Sequence, residues 1–284
     1  LNLHIPVFLE EVLLNINPSS CLFVDCTFGF GGHSLAVIKA YPSVQVIGFE
    51  LDETIYQIAC KETEAIKNIR LINDSYANIK NYVDNISNAT ILFDFGVNSF
   101  QQDNYFSFNS QKLMDLRFDR RSGQSAVFLI QSINVGDLQK VLIDFGDFTH
   151  GDALKIARIL KNTCKMTQKD IARCIVDNFK FLGFKKLQNF LSRIWQALRI
   201  FTNQELDNEL KGLESAMSIC SNSRVMCITF HSTEDRLIKN FFKEKEREGR
   251  GKIITKKPVT PSENEIKTNS RARSAKLRIF EKLG

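Results

Sequence analysis

Residues 21–94 alternate short β-rich runs with stretches of helical length, and that rhythm leaves room for little except a parallel sheet with crossover helices. The sequence predicts strands over 21–26, 44–49, 69–72 and 89–94, separated by helices running to Ala40, over 54–66 and over 76–84. After residue 101 the rhythm stops. A polar loop over 101–110 leads into helix-period stretches over 137–145, 152–164 and 168–181, with no convincing buried strand before 190. A long helix is then expected from about Trp195 to Cys220, followed by a fifth buried strand over 224–230 and a charged helix over 234–248. Residues 249–273 lack periodicity, and 275–280 alternate like an edge strand. The expected fold class is α/β: a Rossmann-like sheet domain formed by 1–102 and 194–284, interrupted by an inserted helical domain over 103–193.

Composition narrows the function classes. With 43% apolar and 25% charged residues the 284-residue chain is globular rather than disordered. Its seven cysteines (21, 26, 60, 164, 174, 220 and 227) stand singly, with no spacing that suggests a disulfide framework or a zinc site, so no metal is expected and a reducing cytoplasm fits best. Charge interrupts every apolar stretch before the roughly 18–20 residues a membrane span requires, as Glu10 and Glu11 do near the N-terminus, so neither a span nor an export signal is expected. From Arg236 onward there are 15 Lys and Arg against 6 Asp and Glu, whereas the preceding body is slightly acidic. Such polarity suits a surface that meets a polyanion, or simply a solvated helix and tail.

Chemistry concentrates at strand ends. Asp25-Cys-Thr-Phe-Gly-Phe-Gly-Gly-His33 follows the first strand and opens the first helix, where glycines let backbone N–H groups approach a ligand. Glu50, 19 residues after Gly31, ends the second strand, where a carboxylate accepts both hydroxyls of a ribose. A dinucleotide fingerprint starting at Gly29 requires glycine at the position of Ser34. Its absence favours a cofactor without pyrophosphate, such as S-adenosylmethionine, over NAD. Asp94 closes the fourth strand and is expected beside Asp25 at the topological switch point, while His231 follows the fifth strand on the same edge. Either is also a plausible structural residue, Asp94 as a turn acid and His231 as a hydrogen-bonded histidine.

Several ordered motifs together resemble one family. They are His4-Ile-Pro-Val-Phe-Leu-Glu-Glu11, the 25–33 loop, Phe93-Asp-Phe-Gly-Val97, Phe106-Ser-Phe108, Met114-Asp-Leu-Arg-Phe-Asp119, Trp195-Gln-Ala-Leu-Arg-Ile200, Phe230-His-Ser-Thr-Glu-Asp-Arg236, Lys257-Pro-Val-Thr-Pro-Ser262 and Arg271-Ala-Arg-Ser-Ala-Lys-Leu-Arg278. The chain is similar, colinearly from 4 to about 282, to the bacterial 16S ribosomal RNA cytosine-N4 methyltransferases of the RsmH/MraW type. The resemblance implies an S-adenosylmethionine domain carrying a helical substrate domain, and methylation of a cytidine amine in the decoding region of the small subunit. It places cofactor residues on Gly31, Gly32, His33, Glu50, Tyr76, Asp94 and Gln101. Tyr76 stands where the family usually has Phe, and Glu50 where it has Asp. The family's His-Pro-Ala-Thr-Arg-Thr-Phe-Gln-Ala stretch is here Asn189-Phe-Leu-Ser-Arg-Ile-Trp-Gln-Ala197, Phe100 replaces a Pro, and Thr233 a Leu. Asp94, Asp115 and His231 are the three unranked candidates for accepting the amine proton. The Phe-rich loop over 105–108 and the basic C-terminal part, Lys256, Lys257, Arg271, Arg273, Lys276 and Arg278, are candidate RNA contacts. The competing reading is a noncatalytic RNA-binding assembly factor that retains a nucleoside pocket.

Overall fold

The computed structural model describes residues 6–163 and 167–284; His4 and Ile5 of the first motif and Cys164 lie outside the described residues. Two compact units form, Leu1–Gly96 with Leu206–Gly284, and Val97–Glu205.

The first unit is a seven-stranded sheet. In chain order its elements are α1 (Leu9–Leu14), β1 (Leu22–Asp25), α2 (Gly32–Ala40), β2 (Gln45–Phe49), α3 (Glu53–Thr63), β3 (Ile69–Ile72), β4 (Ile86–Ser87) and β5 (Ala89–Asp94). The second unit supplies α4 (Ser99–Asn104), α5 (Ala126–Ser132), α6 (Val135–Gly146), α7 (His150–Asn162), α8 (Gln168–Asn178) and α9 (Phe184–Asn203). The sheet unit resumes with α10 (Glu205–Ile219), β6 (Cys220–Ser221), β7 (Ser223–Thr229), α11 (Ser232–Arg247), β8 (Gly251–Ile253), α12 (Glu263–Thr268) and β9 (Lys276–Lys282).

Strand order is β3-β2-β1-β5-β7-β9-β8, while β4 and β6 form a separate two-residue ladder. The strands from β3 to β7 run parallel, and β9 is antiparallel to both its neighbours, β7 and β8. Because β1 lies between β2 and β5, the order reverses there and a crevice opens at its carboxyl end. Period-2 alternation divides the core. Phe23, Val46, Leu92, Met226 and Ile228 pack with Val12 and Val37 on one face, and Val24, Ile91, Phe93, Val225 and Cys227 pack with Leu213, Ile238 and Phe242 on the other.

Several expectations are corrected. The helix expected from Trp195 to Cys220 is two helices, broken at Gln204, whose φ of 48° is left-handed. No Gly or Pro marks the break; Arg199 grips Glu205 across it with Nε–Oε1 and NH2–Oε2 distances of 2.8 and 3.0 Å. The helix over 76–84 is a short 3₁₀ segment, Tyr76–Asn81, capped by Ser75. Residues 249–273 hold β8, α12 and a 3₁₀ turn, and β9 is an interior strand because β8 covers it. Gly251 makes that pairing possible, since a Cβ there would lie 2.2 Å from the carbonyl oxygen of Glu281.

The helical unit extends beyond the expected 103–193 because α9 is its central helix. Leu187, Phe190, Leu191, Ile194, Trp195 and Leu198 form one buried stripe at helical spacing, packed against α5 to α8. Trp195 Nε1 donates to Gln168 Oε1 at 2.9 Å, and Gln168 Nε2 to the carbonyl of Tyr105 at 2.8 Å. Phe106 is buried in this core, and Phe108 meets Trp195 edge-on at 4.9 Å. Phe106 and Phe108 of the 105–108 loop thus pack against this core.

Candidate active site

The loop after β1 is held by its own acids. Asp25 Oδ1 accepts from the Thr27 N–H at 3.2 Å and Oδ2 from the Ser34 hydroxyl at 2.6 Å. Ser34, which removes the dinucleotide pattern, therefore fixes the carboxylate that opens the loop. Gly29 and Gly31 adopt positive φ of 56° and 78°, and Phe28 N–H donates to the Phe49 carbonyl at 2.8 Å, tying the loop to the end of β2. The Phe28 ring lies over Gly48, where a Cβ would approach it to 2.3 Å. Sequence reasoning passed over Gly48; its one signal was a glycine inside a strand, a mark of close approach. Gly32 likewise admits Pro6, whose Cγ would lie 2.5 Å from a Cβ there.

Glu50 faces this loop. Its Oε2 accepts from the Gly29 N–H at 2.9 Å and its Oε1 from the Asp52 N–H at 2.7 Å, leaving further lone pairs open. Burial pushes its pKa up to about 7, against the opposing hydrogen bond from Asp52 N–H. Asp25, raised by burial to about 6, shares this environment. Tyr76, just past β3, stands edge-on to Phe93 and Phe95 at 5.5 and 6.0 Å. Gly212 on α10 leaves it room, since a Cβ would lie 2.5 Å from Tyr76 Cδ2.

Asp94 and His33 complete the cluster. Thr27 Oγ1 accepts from the Asp94 N–H at 2.8 Å, binding the end of β5 to the loop. His33 Nε2 lies 3.0 Å from the Val7 carbonyl oxygen; a carbonyl only accepts, so the proton sits on Nε2 and Nδ1 carries the lone pair. Burial lowers the His33 pKa to about 4, leaving the ring neutral. Nδ1 points toward Asp94 Oδ2 at 3.8 Å, and Asp94 Oδ1 is buried with no hydrogen-bond partner among the described residues. Burial, with the charges of Asp25 and Glu234, holds the Asp94 pKa well above the usual carboxylate range. The orphaned Asp94 Oδ1, beside the His33 ring, makes a place for a cation or an N–H group.

The other candidates are differently engaged. His231 is the N-cap of α11: its Nδ1 accepts from the Glu234 N–H at 3.3 Å, and Nε2 lies 2.8 Å from Glu234 Oε1. Gln101 and Asp115 belong to the helical unit. Gln101 is buried and closes the capping box of α4 with Asn98. Asp115 is clasped by Arg117 at 2.7 and 3.0 Å; burial opposes ionisation, yet the guanidinium holds its pKa below the usual range. Of the basic residues, Lys276 and Arg278 are committed to Asp235, Nζ–Oδ2 at 3.0 Å and Nε–Oδ1 at 2.7 Å, and Arg278 is buried. Arg278, a candidate RNA contact in the sequence, is thus turned into the fold and paired there. Arg273 is exposed and lines a cavity of about 420 Å³ with Ser232 and Thr260.

Comparison with known proteins adds family-level likeness. Residues 2–283 match the model of the MraW methylase family. The ribosomal RNA small subunit methyltransferase H of Nautilia profundicola is 33% identical, over 98% of this chain and 96% of that protein. The Chlamydia caviae protein of the same name is 36% identical, over 98% and 97%. A Clostridium thermocellum rRNA-methylase candidate of known crystal structure shares the fold, with a TM-score of 0.50 at 12% identity, over 99% of this chain and 100% of that one.

Proposed function

The chain belongs to the MraW methylase family, and on that premise we propose that it methylates N4 of a cytidine in the decoding region of 16S ribosomal RNA, with Asp94 holding the acceptor amine. The observation that carries the role of Asp94 is its buried, partnerless oxygen at the carboxyl end of β5, beside the glycine loop and a neutral His33. The same carboxyl, once ionised, fits S-adenosylmethionine, which is cationic at both its sulfonium and its ammonium.

In this reading the N–H groups of Gly32 and His33 and the Asp94 carboxylate hold the methionine end, with Gly31, its own N–H donated to the Phe28 carbonyl, turning the chain toward them, while Glu50 accepts the ribose hydroxyls and Tyr76 lies against the adenine. The cofactor supplies an electrophilic methyl group whose leaving group departs neutral. What remains for the protein is alignment, and handling of an amine whose lone pair is delocalised into the ring. Asp94 accepts one amine N–H, pyramidalises the nitrogen and turns the lone pair toward the methyl. Its raised pKa suits it to take up the proton afterwards, and a cation bound beside it keeps it ionised until then. Asp115, lowered by Arg117, is a poorer acceptor, and His231, whose Nε2 is also buried without a hydrogen-bond partner among the described residues, gives its Nδ1 to the cap of α11. The helical unit positions the RNA, and the target base is presented single-stranded or flipped out. The site of action is the cytoplasm, where small subunits are assembled; no helix among the described residues is long and apolar enough to cross a membrane.

The test is Asp94→Asn, assayed by transfer of labelled methyl to small subunits lacking the modification. Turnover is expected to fall by about 10²–10⁴-fold, more than cofactor affinity does. Turnover equal to the parent's, in a folded variant, refutes the role of Asp94. Absence of any transfer by the parent favours the noncatalytic assembly factor.

A further inference from the structure

The helical unit carries a cationic cavity that the reaction does not use. Between α7 and α8 lies a hollow of about 750 Å³ lined by Lys155, Arg158 and Arg173 together with Asn162 and Asn178. Asp170 is the single acid in its lining, and its Oδ2 accepts from the Thr167 hydroxyl at 2.6 Å, as part of the α8 cap. Arg158 and Arg173 are exposed, and neither guanidinium has an ion pair or hydrogen bond among the described residues. Two open guanidinium groups on neighbouring helices leave their donors available to an arriving anion.

The segment that follows α8 continues the pattern. Lys180-Phe-Leu-Gly-Phe-Lys-Lys186 interleaves three lysines with two aromatic rings; Lys180 is paired with Asp177 at 3.0 Å, and Phe181 and Phe184 are 75% and 81% exposed. Gly183, at a φ of 72°, turns the chain between them. Lys155 connects turn and cavity, since its Nζ sits 4.3 Å from the Phe179 ring centre and 5.8 Å from that of Phe181. Phenylalanine held in water beside cations is unfavourable in a free surface but is the arrangement that receives a single strand, with phosphates on the cations and bases on the rings.

We infer that the α7–α8 cavity and the 180–186 turn form a platform for single-stranded ribosomal RNA flanking the target cytidine; this rests on the RNA-methylating reading above. The backbone phosphates meet Arg158 and Arg173, and unpaired bases stack on Phe181 and Phe184. Recognition of this kind is tolerant of sequence, because every base has a π face.

The probe is a fluorescein-labelled single-stranded RNA of about 12 nucleotides, within the usual site size, titrated by anisotropy at several salt concentrations. Arg158→Ala/Arg173→Ala is expected to lower the log–log salt slope by about 1.4, roughly 0.7 for each phosphate that is no longer neutralised. Phe181→Ala/Phe184→Ala is expected to weaken binding about tenfold or more with the slope kept. In both, calorimetric affinity for S-adenosylmethionine stays at the parent value, and since all four side chains are exposed at the surface, the thermal midpoint should too. Phe181→Trp adds a direct readout, quenching of its fluorescence as RNA is added. Parent-like affinity and slope in both double variants overturn the platform, as does an RNA that the parent itself fails to bind. Loss of binding to intact small subunits with the oligonucleotide unaffected also overturns it, assigning the surface to a ribosomal protein. If the variants lose RNA as expected while the parent transfers no methyl group, the platform stands and the catalytic reading falls.

Discussion

Moving from pH 8 to pH 6 is expected to weaken S-adenosylmethionine binding by at least about tenfold, the share that the carboxyl of Glu50 contributes by itself. Its oxygens already accept two backbone N–H bonds, and to accept both ribose hydroxyls as well it must be ionised. With its pKa raised to about 7, the apparent dissociation constant scales as one plus the ratio of protonated to ionised carboxyl. That factor is about 1.1 at pH 8, about 2 at pH 7 and about 11 at pH 6, so the loss is close to 1.4 kcal/mol. Stability of the unliganded protein should move the opposite way. A carboxyl raised from 4.5 to about 7 binds more protons folded than unfolded, so its contribution is fully present below pH 4.5 and is lost as the pH climbs to 7. The full shift corresponds to about 3 kcal/mol. Calorimetry at three pH values, in buffers of different ionisation enthalpy, measures both affinity and proton release, expected to be about half a proton at pH 7. Glu50→Gln should bind weakly with a flatter pH profile, which separates Glu50 from Asp25 and Asp94. Constant affinity from pH 6 to 8, with heats independent of buffer, refutes the argument.

Two further outcomes are expected. Asp235→Ala strands the buried Arg278 guanidinium and should destabilise the sheet unit by about 3–5 kcal/mol in urea unfolding, whereas Asp235→Leu/Arg278→Met should recover most of the loss; an unmoved midpoint for the single variant would show that the pair contributes nothing. Gly212→Ala pushes a methyl group to 2.5 Å from the Tyr76 ring, so cofactor affinity should fall about tenfold as the ring shifts, with far-ultraviolet dichroism unchanged.

Much of the sheet was legible because parallel strands in this rhythm carry their own signal: β1, β2, β3, β5 and β7 lie within a residue or two of their expected limits. The glycine loop and the Glu50 acid were legible for the same reason, being short-range features fixed by the end of a strand. What escaped depends on contacts between distant segments. Gln204 breaks a helix without any breaker residue, because Arg199 and Glu205 clamp the corner. The place of β9 inside the sheet follows from β8, a three-residue strand too short to show alternation. Lys276 and Arg278 read as solvated charge until Asp235 is found opposite them. His231 read equally as chemistry and as a hydrogen-bonded structural residue, and its place as the N-cap shows only in the geometry of α11.

The direct pairing of β5 with β7 bears on how the chain reaches this state. Ala89 N–H donates to Ser223 Oγ, a bond between residues 134 positions apart, and the two strands stay in register from there to Asp94. Closing a flexible coil of that length costs about 4 kcal/mol of chain entropy before any bond between the strands forms. If α5 to α9 have already collapsed on their own core, most of that span is no longer coil and the entropy of closure is correspondingly smaller. The middle of the chain then acts as a kinetic scaffold for the sheet that flanks it, and the last strands to join are those made furthest from the N-terminus.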